Sequence, residues 1–248
     1  MPTSLKGQTA LVTGSGQRLG RALSEALAAS GCRMILHCHS SRRDTELLAA
    51  SICDSGGEAA VLRADLSKST QTLRLARAAE KVFGGVDILI NNAAVFWPTP
   101  LERLSVSQLD AFYAVNLQAP FTLATELGRA MKQRGHGAIL NMACISGLKA
   151  WSTHLPYSIS KAGVISMTVG LSKLLAPQVR VNAIAPGTVL PPDQPDYTEK
   201  ERLRMLRKKI PLRKLGRPED VVDAALYLLT APFVTGQVLC VDGGKSAV

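Results

Sequence analysis

The 248-residue chain is long enough for one globular domain with a full hydrophobic core, and its composition excludes several classes of protein. Hydrophobic residues make up 46% of the chain and charged residues 19%, which excludes a disordered polypeptide. No apolar run approaches the ~20 residues of a membrane-spanning helix, and the N-terminus lacks a signal-peptide pattern. We therefore expect a cytoplasmic protein with no membrane partner.

Cysteine content and net charge restrict the possible ligands. The five cysteines are scattered and odd in number, without zinc-ligand spacing, so the sequence predicts neither a disulfide framework nor a metal site. The formal net charge of +10 suggests nucleic acid, but the aromatic content of 4% is too low for a platform that stacks single strands. We expect no nucleic-acid partner. The charge indicates either a solvated basic surface or attraction of an anionic cofactor or substrate.

Short apolar runs alternate with amphipathic stretches along the whole chain. Strands are predicted at 9–13, 33–37, 58–63, 87–90, 137–141, 179–183 and 237–241. Helices are predicted at 21–30, 44–56, 67–83, 105–115, 118–133, 157–175 and 218–229, and Ser67 is predicted to cap the third. This alternation predicts a single α/β domain over 1–248, with a Rossmann-type, doubly wound parallel sheet of about seven strands and helices on both faces. A substrate loop is predicted at 188–217, with a basic helix near 198–209.

A glycine-rich turn joins the first strand to the first helix. Its spacing is Thr-Gly-x-x-x-Arg-Leu-Gly rather than Gly-x-Gly-x-x-Gly. Glycines let the backbone approach a pyrophosphate, and a helix N-terminus offers free N–H groups and a positive dipole end. The turn therefore predicts a dinucleotide site, although an ordinary glycine-rich turn would look similar. The residues predicted to line it are Gly14, Gln17, Arg18, Leu19 and Gly20.

The end of the second strand carries no acid before Asp44. An acid about 20 residues past the glycines holds the ribose 2′-hydroxyl in NAD-binding folds. Here hydroxyl, imidazole and guanidinium groups follow the strand instead, and these suit a 2′-phosphate. The sequence therefore favours NADP(H), although Arg42 and Arg43 are also compatible with an exposed helix start. The predicted contacts are His39, Ser40 and Ser41.

Tyr157 and Lys161 stand four residues apart at the start of a long predicted helix. Side chains at this spacing share one helix face, with Cβ atoms about 6 Å apart. Because an ammonium beside a phenol favours the phenolate, we expect Lys161 to lower the pKa of Tyr157 from about 10 towards neutrality. Such a pair can exchange a proton with a substrate, although alone it is also compatible with a surface contact.

Five motifs follow one another along the chain. They are Thr13-Gly14-x-x-x-Arg18-Leu19-Gly20, Asp65-Leu66, Asn91-Asn92-Ala93, Tyr157-x-x-x-Lys161 and Pro186-Gly187. With these motifs the chain resembles the short-chain dehydrogenase/reductase family over essentially its whole length. The resemblance implies an NADP(H)-dependent oxidoreductase that acts on a small molecule and assembles as a homotetramer.

The resemblance also implies a role for each matching residue. Asp65 and Leu66 would hold the adenine, and Asn116 would support a water-linked proton relay to Tyr157 and Lys161. Both members of that pair would also contact the cofactor, Lys161 at the nicotinamide ribose. The remaining residues implied along the cofactor are Asn91, Asn92, Ala93, Pro186, Gly187, Thr188 and Val189.

Three further features resemble the pteridine reductase branch of that family. Arg18 replaces the usual second glycine, His37-Cys-His-Ser follows the second strand, and Phe96 and Trp97 follow the fourth. In that branch the residue matching Phe96 stacks a pterin against the nicotinamide, and the arginine matching Arg18 lies near the phosphates and the pterin. Alternatively, Phe96 and Trp97 pack over the cofactor and Arg18 binds only the pyrophosphate.

One position departs from the family pattern. Thirteen residues before Tyr157, where the family has serine and pteridine reductases often have aspartate, the chain has Cys144. A thiol is a weak hydrogen-bond donor. Three interpretations remain open: Cys144 is tolerated within the catalytic group, Ser146 moves in to replace the serine, or the enzyme is weak or inactive.

The sequence therefore predicts a reductase that uses NADPH, with a pterin-like C=N bond as the first choice of substrate. A 3-oxoacyl thioester or another ketone is the alternative within the same family. A non-catalytic NADP-binding sensor or scaffold is the alternative from another class, and Cys144 is the feature that supports it. The basic residues between Lys200 and Lys214 either attract a carboxylate-bearing substrate or form a solvated face.

Overall fold

The computed structural model describes residues 3–189, 204 and 207–248. The strands are β1 Thr9–Thr13, β2 Arg33–Cys38, β3 Ala59–Arg63, β4 Ile88–Asn91, β5 Gly137–Met142, β6 Val179–Pro186 and β7 Val238–Val241. The α-helices are α1 Arg18–Ala29, α2 Arg42–Asp54, α3 Ser69–Ala79, α4 Val106–Tyr113, α5 Ala119–Arg134, α6 Leu155–Leu175 and α7 Pro218–Thr230. Short 3₁₀ turns cover Leu101–Arg103, Ile145–Gly147 and Ser152–His154, and a π-helical turn covers Ala114–Gln118.

The seven strands form one parallel sheet in the order β3-β2-β1-β4-β5-β6-β7. The predicted Rossmann-type fold is thereby confirmed. The direction of winding reverses between β1 and β4, which are neighbours in the sheet. In doubly wound sheets, ligands bind in the crevice at the carboxyl ends of the strands at this reversal. The fold therefore directs attention to the residues that follow β1 and β4.

Two apolar layers enclose the sheet. Ala10 and Val12 of β1 pack with Leu23 in the layer of α1, α2 and α7. Between them in sequence, Leu11 faces the opposite layer and packs with Leu123 among α3, α5 and α6. This alternation follows the period of two residues in a strand. Each fully buried leucine stabilises the fold by roughly 2 kcal/mol relative to an exposed one, so the two layers fix the sheet that carries the site.

Several element boundaries differ from the prediction. Helix α1 begins at Arg18 rather than at residue 21, and β6 extends to Pro186 rather than ending at 183. The predicted cap at Ser67 is wrong, because α3 begins at Ser69 and the Ser67 hydroxyl donates to the carboxylate of Asp65 instead. The shift at α1 matters most for function, because it brings the helix N-terminus directly against the glycine turn.

The predicted basic helix near 198–209, like most of the predicted substrate loop, lies largely outside the described residues. Arg204, Arg207 and Lys208 are described and are exposed. In the described part of the chain, no helix combines the length and apolarity needed to cross a membrane, and no three metal-ligating side chains converge. The five cysteines are free, and they range from buried to exposed at Cys53.

A buried histidine joins β2 to the glycine turn. His37, whose exposed fraction is 1%, accepts a hydrogen bond at Nδ1 from the backbone N–H of Gly14, at 3.2 Å. Its Nε2 lies 3.1 Å from the carbonyl oxygen of Ala64, so Nε2 carries the proton and the ring is neutral. Burial lowers the pKa of His37 to about 4, against a smaller upward effect of the Ala64 hydrogen bond.

Acid should therefore destabilise the fold through His37. The unfolded histidine titrates near pH 6.5 and the folded one near pH 4, so the unfolded state takes up the proton first as the pH falls through this window. The difference between the two pKa values corresponds to about 3 kcal/mol in the free energy of unfolding, most of which should be lost by pH 4.5. Urea unfolding of the wild type and of His37→Gln at pH 7.5 and 4.5 measures this loss. We expect a smaller pH dependence in the variant, and equal dependence would contradict the assignment.

Candidate active site

The ends of β1 and β4 are joined by a hydrogen-bonded bracket between Thr13 and Asn92. The Thr13 hydroxyl accepts hydrogen bonds from the backbone N–H groups of Asn92 and Ala93, at 2.9 and 3.0 Å. The Asn92 amide donates to the carbonyl oxygens of Thr13 and Gly14, at 2.9 and 3.2 Å. The Asn92 side chain and both backbone N–H groups thus support the turn, so the predicted cofactor contact would use the backbone carbonyl groups and the Ala93 side chain.

The glycine turn packs tightly against this bracket. A Cβ atom on Gly20 would lie 2.0 Å from the carbonyl oxygen of Gly14 and 2.6 Å from Nδ2 of Asn92. Gly14 itself has φ of +64°, a conformation that glycine adopts freely. Both glycines are therefore required by the shape of the turn, and this shape brings α1 end-on towards the crevice.

The start of α1 has the donor groups that a pyrophosphate requires. Gln17, its N-cap residue, makes no side-chain capping hydrogen bond, and no acidic residue occupies the first turn. Arg18 has φ of +52°, a left-handed conformation that is uncommon for residues other than glycine and often occurs at functional sites. The uncapped N–H groups and the absence of negative charge fit an anionic dinucleotide.

The residues predicted to meet a 2′-phosphate lie beside this turn. A Cβ atom on Gly16 would be 3.0 Å from the hydroxyl of Ser41, so the two residues are in contact. His39 and Ser40 are exposed at the end of β2. Asp44, the nearest acid in sequence, accepts a hydrogen bond from the Gln17 side chain at 2.6 Å. Gln17 is therefore engaged with α2 as well as adjacent to the predicted pyrophosphate position.

Asp65 and Leu66 follow β3 at the same edge of the sheet. The Asp65 carboxylate accepts hydrogen bonds from the hydroxyl and the backbone N–H of Ser67, at 2.7 and 2.9 Å. These two bonds lower the pKa of Asp65 and keep it ionised. The Leu66 side chain is buried in the core. Only its backbone atoms are therefore available for the predicted adenine contact.

Tyr157 and Cys144 form the centre of the site. Tyr157 lies in the first turn of α6 with an exposed fraction of 9%, in one buried cluster with Cys144, whose thiol is close enough to the phenol to interact with it. Burial raises the pKa of Tyr157 well above its ordinary value, and Cys144 raises it further. The predicted lowering by Lys161 is therefore wrong. The structure places Cys144 itself at the Tyr157 hydroxyl, the position that the family's serine would take.

Lys161 lies beneath Tyr157 and is almost fully buried. Its Nζ donates to the carbonyl oxygen of Met142 at 2.6 Å and lies 5.7 Å from the centroid of the Tyr157 ring. Burial lowers the pKa of Lys161 to about 8, although Cys144 acts in the opposite direction. The loss of hydration on burial is therefore the main cause of the raised pKa of Tyr157, although Lys161 is close. Gly147 fixes this arrangement, because a Cβ there would be 2.7 Å from the Lys161 carbonyl carbon.

Asn116 lies in the π-helical turn between α4 and α5 and is buried. Its Oδ1 accepts from the backbone N–H of Val95 at 2.8 Å, and its Nδ2 donates to the Val95 carbonyl and the Ser160 hydroxyl. The side chain therefore fixes the loop after β4 against α6. A proton relay at this position would use the backbone of the turn rather than the Asn116 amide.

Five aromatic rings form a cluster with Tyr157. Phe96 is 40% exposed, stacks on His154 with ring centroids 4.6 Å apart, and meets Tyr157 edge-on at 4.8 Å. Trp151 meets Phe96 and His154 at centroid distances of 6.5 and 6.1 Å. Trp97 instead packs on Phe112, at 4.3 Å, on the inner side of the loop. Phe96 is thus the accessible member of the predicted pair.

Hydrogen bonds join the segment after β6 to the C-terminal residues of the chain. The Gly187 N–H donates to the Val241 carbonyl, and Val189 is buried in the core. Thr188 accepts a hydrogen bond at its hydroxyl from Nζ of Lys245, at 3.0 Å. Lys245 also lies 5.5 Å from the centroid of the Trp151 ring. The C-terminal residues therefore reach the same site as Tyr157.

The sequence analysis did not identify several members of this site. Lys245, Trp151 and His154 carry no motif, because their proximity depends on how the C-terminal turn and the loop before α6 fold. His37 was identified only as part of a motif, without its buried role. Ser146, the predicted replacement for Cys144, has a buried hydroxyl without a hydrogen-bond partner in the described residues, and its backbone N–H donates to the Cys144 sulfur at 3.4 Å.

The chain is similar to known proteins over almost its whole length, in sequence and in fold. A family model described as enoyl-(acyl carrier protein) reductase matches residues 14–246. The 3-oxoacyl-[acyl-carrier-protein] reductase of Synechocystis sp. is 32% identical over 246 residues, covering 98% of both chains. FolM alternative dihydrofolate reductase 1 from Brucella canis, complexed with NADP, has a TM-score of 0.90 and 31% identity, covering 99% of this chain and 97% of that one. A gluconate 5-dehydrogenase from Burkholderia cenocepacia, in complex with NADP and tartrate, has a TM-score of 0.87 and 30% identity, covering 98% and 96%.

Substitution of Gly20 by alanine should damage the glycine turn. The new methyl group would meet the Gly14 carbonyl and displace the Asn92 amide, at a cost of about 1–3 kcal/mol. Gly170 in α6 is the matched control, because a Cβ there has no neighbour within 4 Å. Alanine at Gly170 should stabilise the helix by up to about 1 kcal/mol. Thermal and urea unfolding measure both changes, and a neutral Gly20→Ala variant would contradict the packing described.

Proposed function

The chain belongs to the short-chain dehydrogenase/reductase family of oxidoreductases, and from this premise we propose that it uses NADPH to reduce a pterin-like C=N bond. A carbonyl bond is the second candidate. The observation that carries the proposal is the position of Tyr157, a protonated phenol beside an accessible aromatic ring at the crevice of the sheet.

The preference for NADPH rests on the residues after β2 and on the relatives. The hydroxyl groups of Ser41 and Thr45 lie beside Gly16 of the glycine turn, and Asp44 is engaged with Gln17. Two of the structural neighbours were solved with NADP. When bound, NADPH supplies the hydride for the reduction. The residues that would hold it are Gly14, Arg18, Leu19, Gly20, His39, Ser40, Ser41, Asp65, Ala93, Lys161, Gly187, Thr188 and Val189.

Tyr157 would supply the proton. Its raised pKa keeps the phenol protonated at neutral pH, which suits reduction better than oxidation. Lys161, whose pKa is about 8, remains largely charged at neutral pH and stabilises the negative charge left on the phenol oxygen. The Cys144 thiol is a weak donor to a substrate oxygen, so Tyr157 carries most of the polarisation.

The pterin preference rests on the exposed aromatic surface. A flat heteroaromatic ring is stabilised by stacking on a ring such as Phe96, and Arg18 approaches from the glycine turn in the resembling branch. The FolM neighbour, named as an alternative dihydrofolate reductase, supports this choice. The 32% identity with a 3-oxoacyl-[acyl-carrier-protein] reductase supports the carbonyl candidate. A sensor without catalysis has no need of Tyr157 as an acid.

Loss of reduced-nicotinamide absorbance with dihydrobiopterin, dihydrofolate and an acetoacetyl thioester tests the proposal. We expect turnover of a pterin with NADPH preferred over NADH, and none in Tyr157→Phe, which keeps the ring but removes the proton. Cys144→Ser should raise thioester turnover by up to ~10²-fold, because a hydroxyl is a stronger hydrogen-bond donor than a thiol. Cys144→Asp should raise pterin turnover, as the aspartate of the resembling branch implies. Turnover of the thioester alone would favour the carbonyl candidate. Tight NADPH binding without any turnover would favour the sensor.

We also propose a homotetramer built partly on α5 and α6. Leu174 of α6 is 70% exposed and borders a groove lined by Thr125, Arg129 and Leu171. Burial of this apolar edge against a second chain would stabilise an assembly. Sedimentation velocity should give about four times the chain mass of 26.4 kDa, with smaller species in Leu174→Glu. A monomeric wild type would contradict the proposal.

A further inference from the structure

Lys245 places a positive charge at the active site that the proposed chemistry does not use. Its Nζ is half-buried, donates one hydrogen bond to the neutral Thr188 hydroxyl at 3.0 Å, and lies 5.5 Å from the Trp151 ring centroid. It is close enough to Cys144 for the two groups to interact electrostatically. The rings of Trp151 and Phe96 connect Lys245 to Tyr157, because Trp151 lies against Nζ and Phe96 contacts both Trp151 and Tyr157.

The charge of Lys245 lacks a partner of opposite sign at ion-pair distance in the described part of the chain. The nearest carboxylate in sequence, Asp242, interacts with Lys245 at longer range and accepts hydrogen bonds from the backbone N–H groups of Gly244 and Ser246, at 2.9 and 2.6 Å. Lys209 adds a second positive charge nearby. A half-buried ammonium that has lost part of its hydration is stabilised by an anion.

The backbone holds Lys245 in a defined position. Gly243 and Gly244 both have left-handed φ angles, of +64° and +88°, and the turn they form wraps around the Asp242 carboxylate. A Cβ on Gly244 would lie 3.1 Å from Pro211, so the turn also packs against the segment that precedes α7. Lys245 is thus presented to the pocket by a fixed turn rather than by a free C-terminal tail.

We infer that Lys245 binds a carboxylate of the substrate, and that the enzyme reduces C=N or C=O compounds that carry an acid group. The inference rests on the proposed function and narrows its substrate class. Trp151 would cover one side of the Lys245 ammonium group, and the Thr188 hydroxyl would orient Nζ through its hydrogen bond. Substrate specificity would therefore depend on a residue outside the sequence motifs of the family.

A purely structural role for Lys245 is the competing explanation, because its bond to Thr188 also tethers the C-terminal turn. Lys245→Gln separates the two roles, since an amide can still donate to Thr188 but carries no charge. Lys245→Arg keeps the charge. Lys149→Gln is the matched control: Lys149 is an exposed lysine that donates to the carbonyl of Val248 at 2.6 Å, so the substitution removes the same charge and another contact to the C-terminal residues.

Two substrate pairs test the inference, acetoacetate with acetoacetamide and 6-carboxy-dihydropterin with 6-hydroxymethyl-dihydropterin. Lys245→Gln should raise the KM for the carboxylate member by about 10- to 100-fold, the usual value of a charge-assisted hydrogen bond, with kcat little changed. The KM for the neutral member should stay the same. Lys245→Arg should retain most of the carboxylate preference, and Lys149→Gln should behave as the wild type.

Other outcomes would overturn the inference. An equal rise in KM for both members of a pair would indicate a structural tether, and a rise in the Kd for NADPH would place Lys245 on the cofactor. Calorimetric titration with 3-hydroxybutyrate and its amide, and with 6-carboxypterin and 6-hydroxymethylpterin, separates this test from the proposed function. If the wild type reduces none of these compounds and none of the three substrates named above, the proposed function fails, whereas carboxylate binding that is lost only in Lys245→Gln still supports the anion site. Absence of carboxylate binding to the wild type would refute it.

Discussion

The bracket between Thr13 and Asn92 is the constraint on which the site depends. One hydroxyl accepts two backbone N–H groups and one amide donates to two carbonyls, so the ends of β1 and β4 cannot separate without leaving several polar groups unpaired. Gly20 packs on that bracket and His37 reaches the turn from β2. The position of α1, and hence of any anion at its N-terminus, follows from these contacts.

At Tyr157, on the other side of the crevice from α1, burial has the largest effect on the pKa of the phenol. Gly147 lets the turn after β5 lie directly on α6, which brings Cys144 to the Tyr157 hydroxyl and removes water from both. Under these conditions the phenol stays protonated despite a lysine one helical turn away, because an anion in an apolar surrounding loses its hydration. Burial therefore determines the protonation state of the proposed proton donor.

The sequence predicted the fold and the proximity of Tyr157 and Lys161 on one helix, because both depend on local patterns. Alternating apolar runs and the Tyr157–Lys161 spacing contain the information needed. The electrostatics of that pair could not be predicted, since the hydration of Tyr157 depends on Gly147 and Cys144 in another segment. Lys245 was missed for a similar reason: its neighbours Thr188 and Trp151 are distant in sequence, and no spacing rule connects them. Asn92 was identified, but its supporting role required the geometry of Thr13.

The placement of the two tryptophans has a spectroscopic consequence. Trp97 packs on Phe112 and Trp151 faces Lys245, and both belong to the apolar cluster that surrounds Tyr157. The chain contains no other indole, so its tryptophan emission originates entirely beside the crevice. Changes in that emission report on the occupancy and polarity of the pocket, and they say little about the α1 side of the sheet. The fold thus contains its own optical probe beside Tyr157.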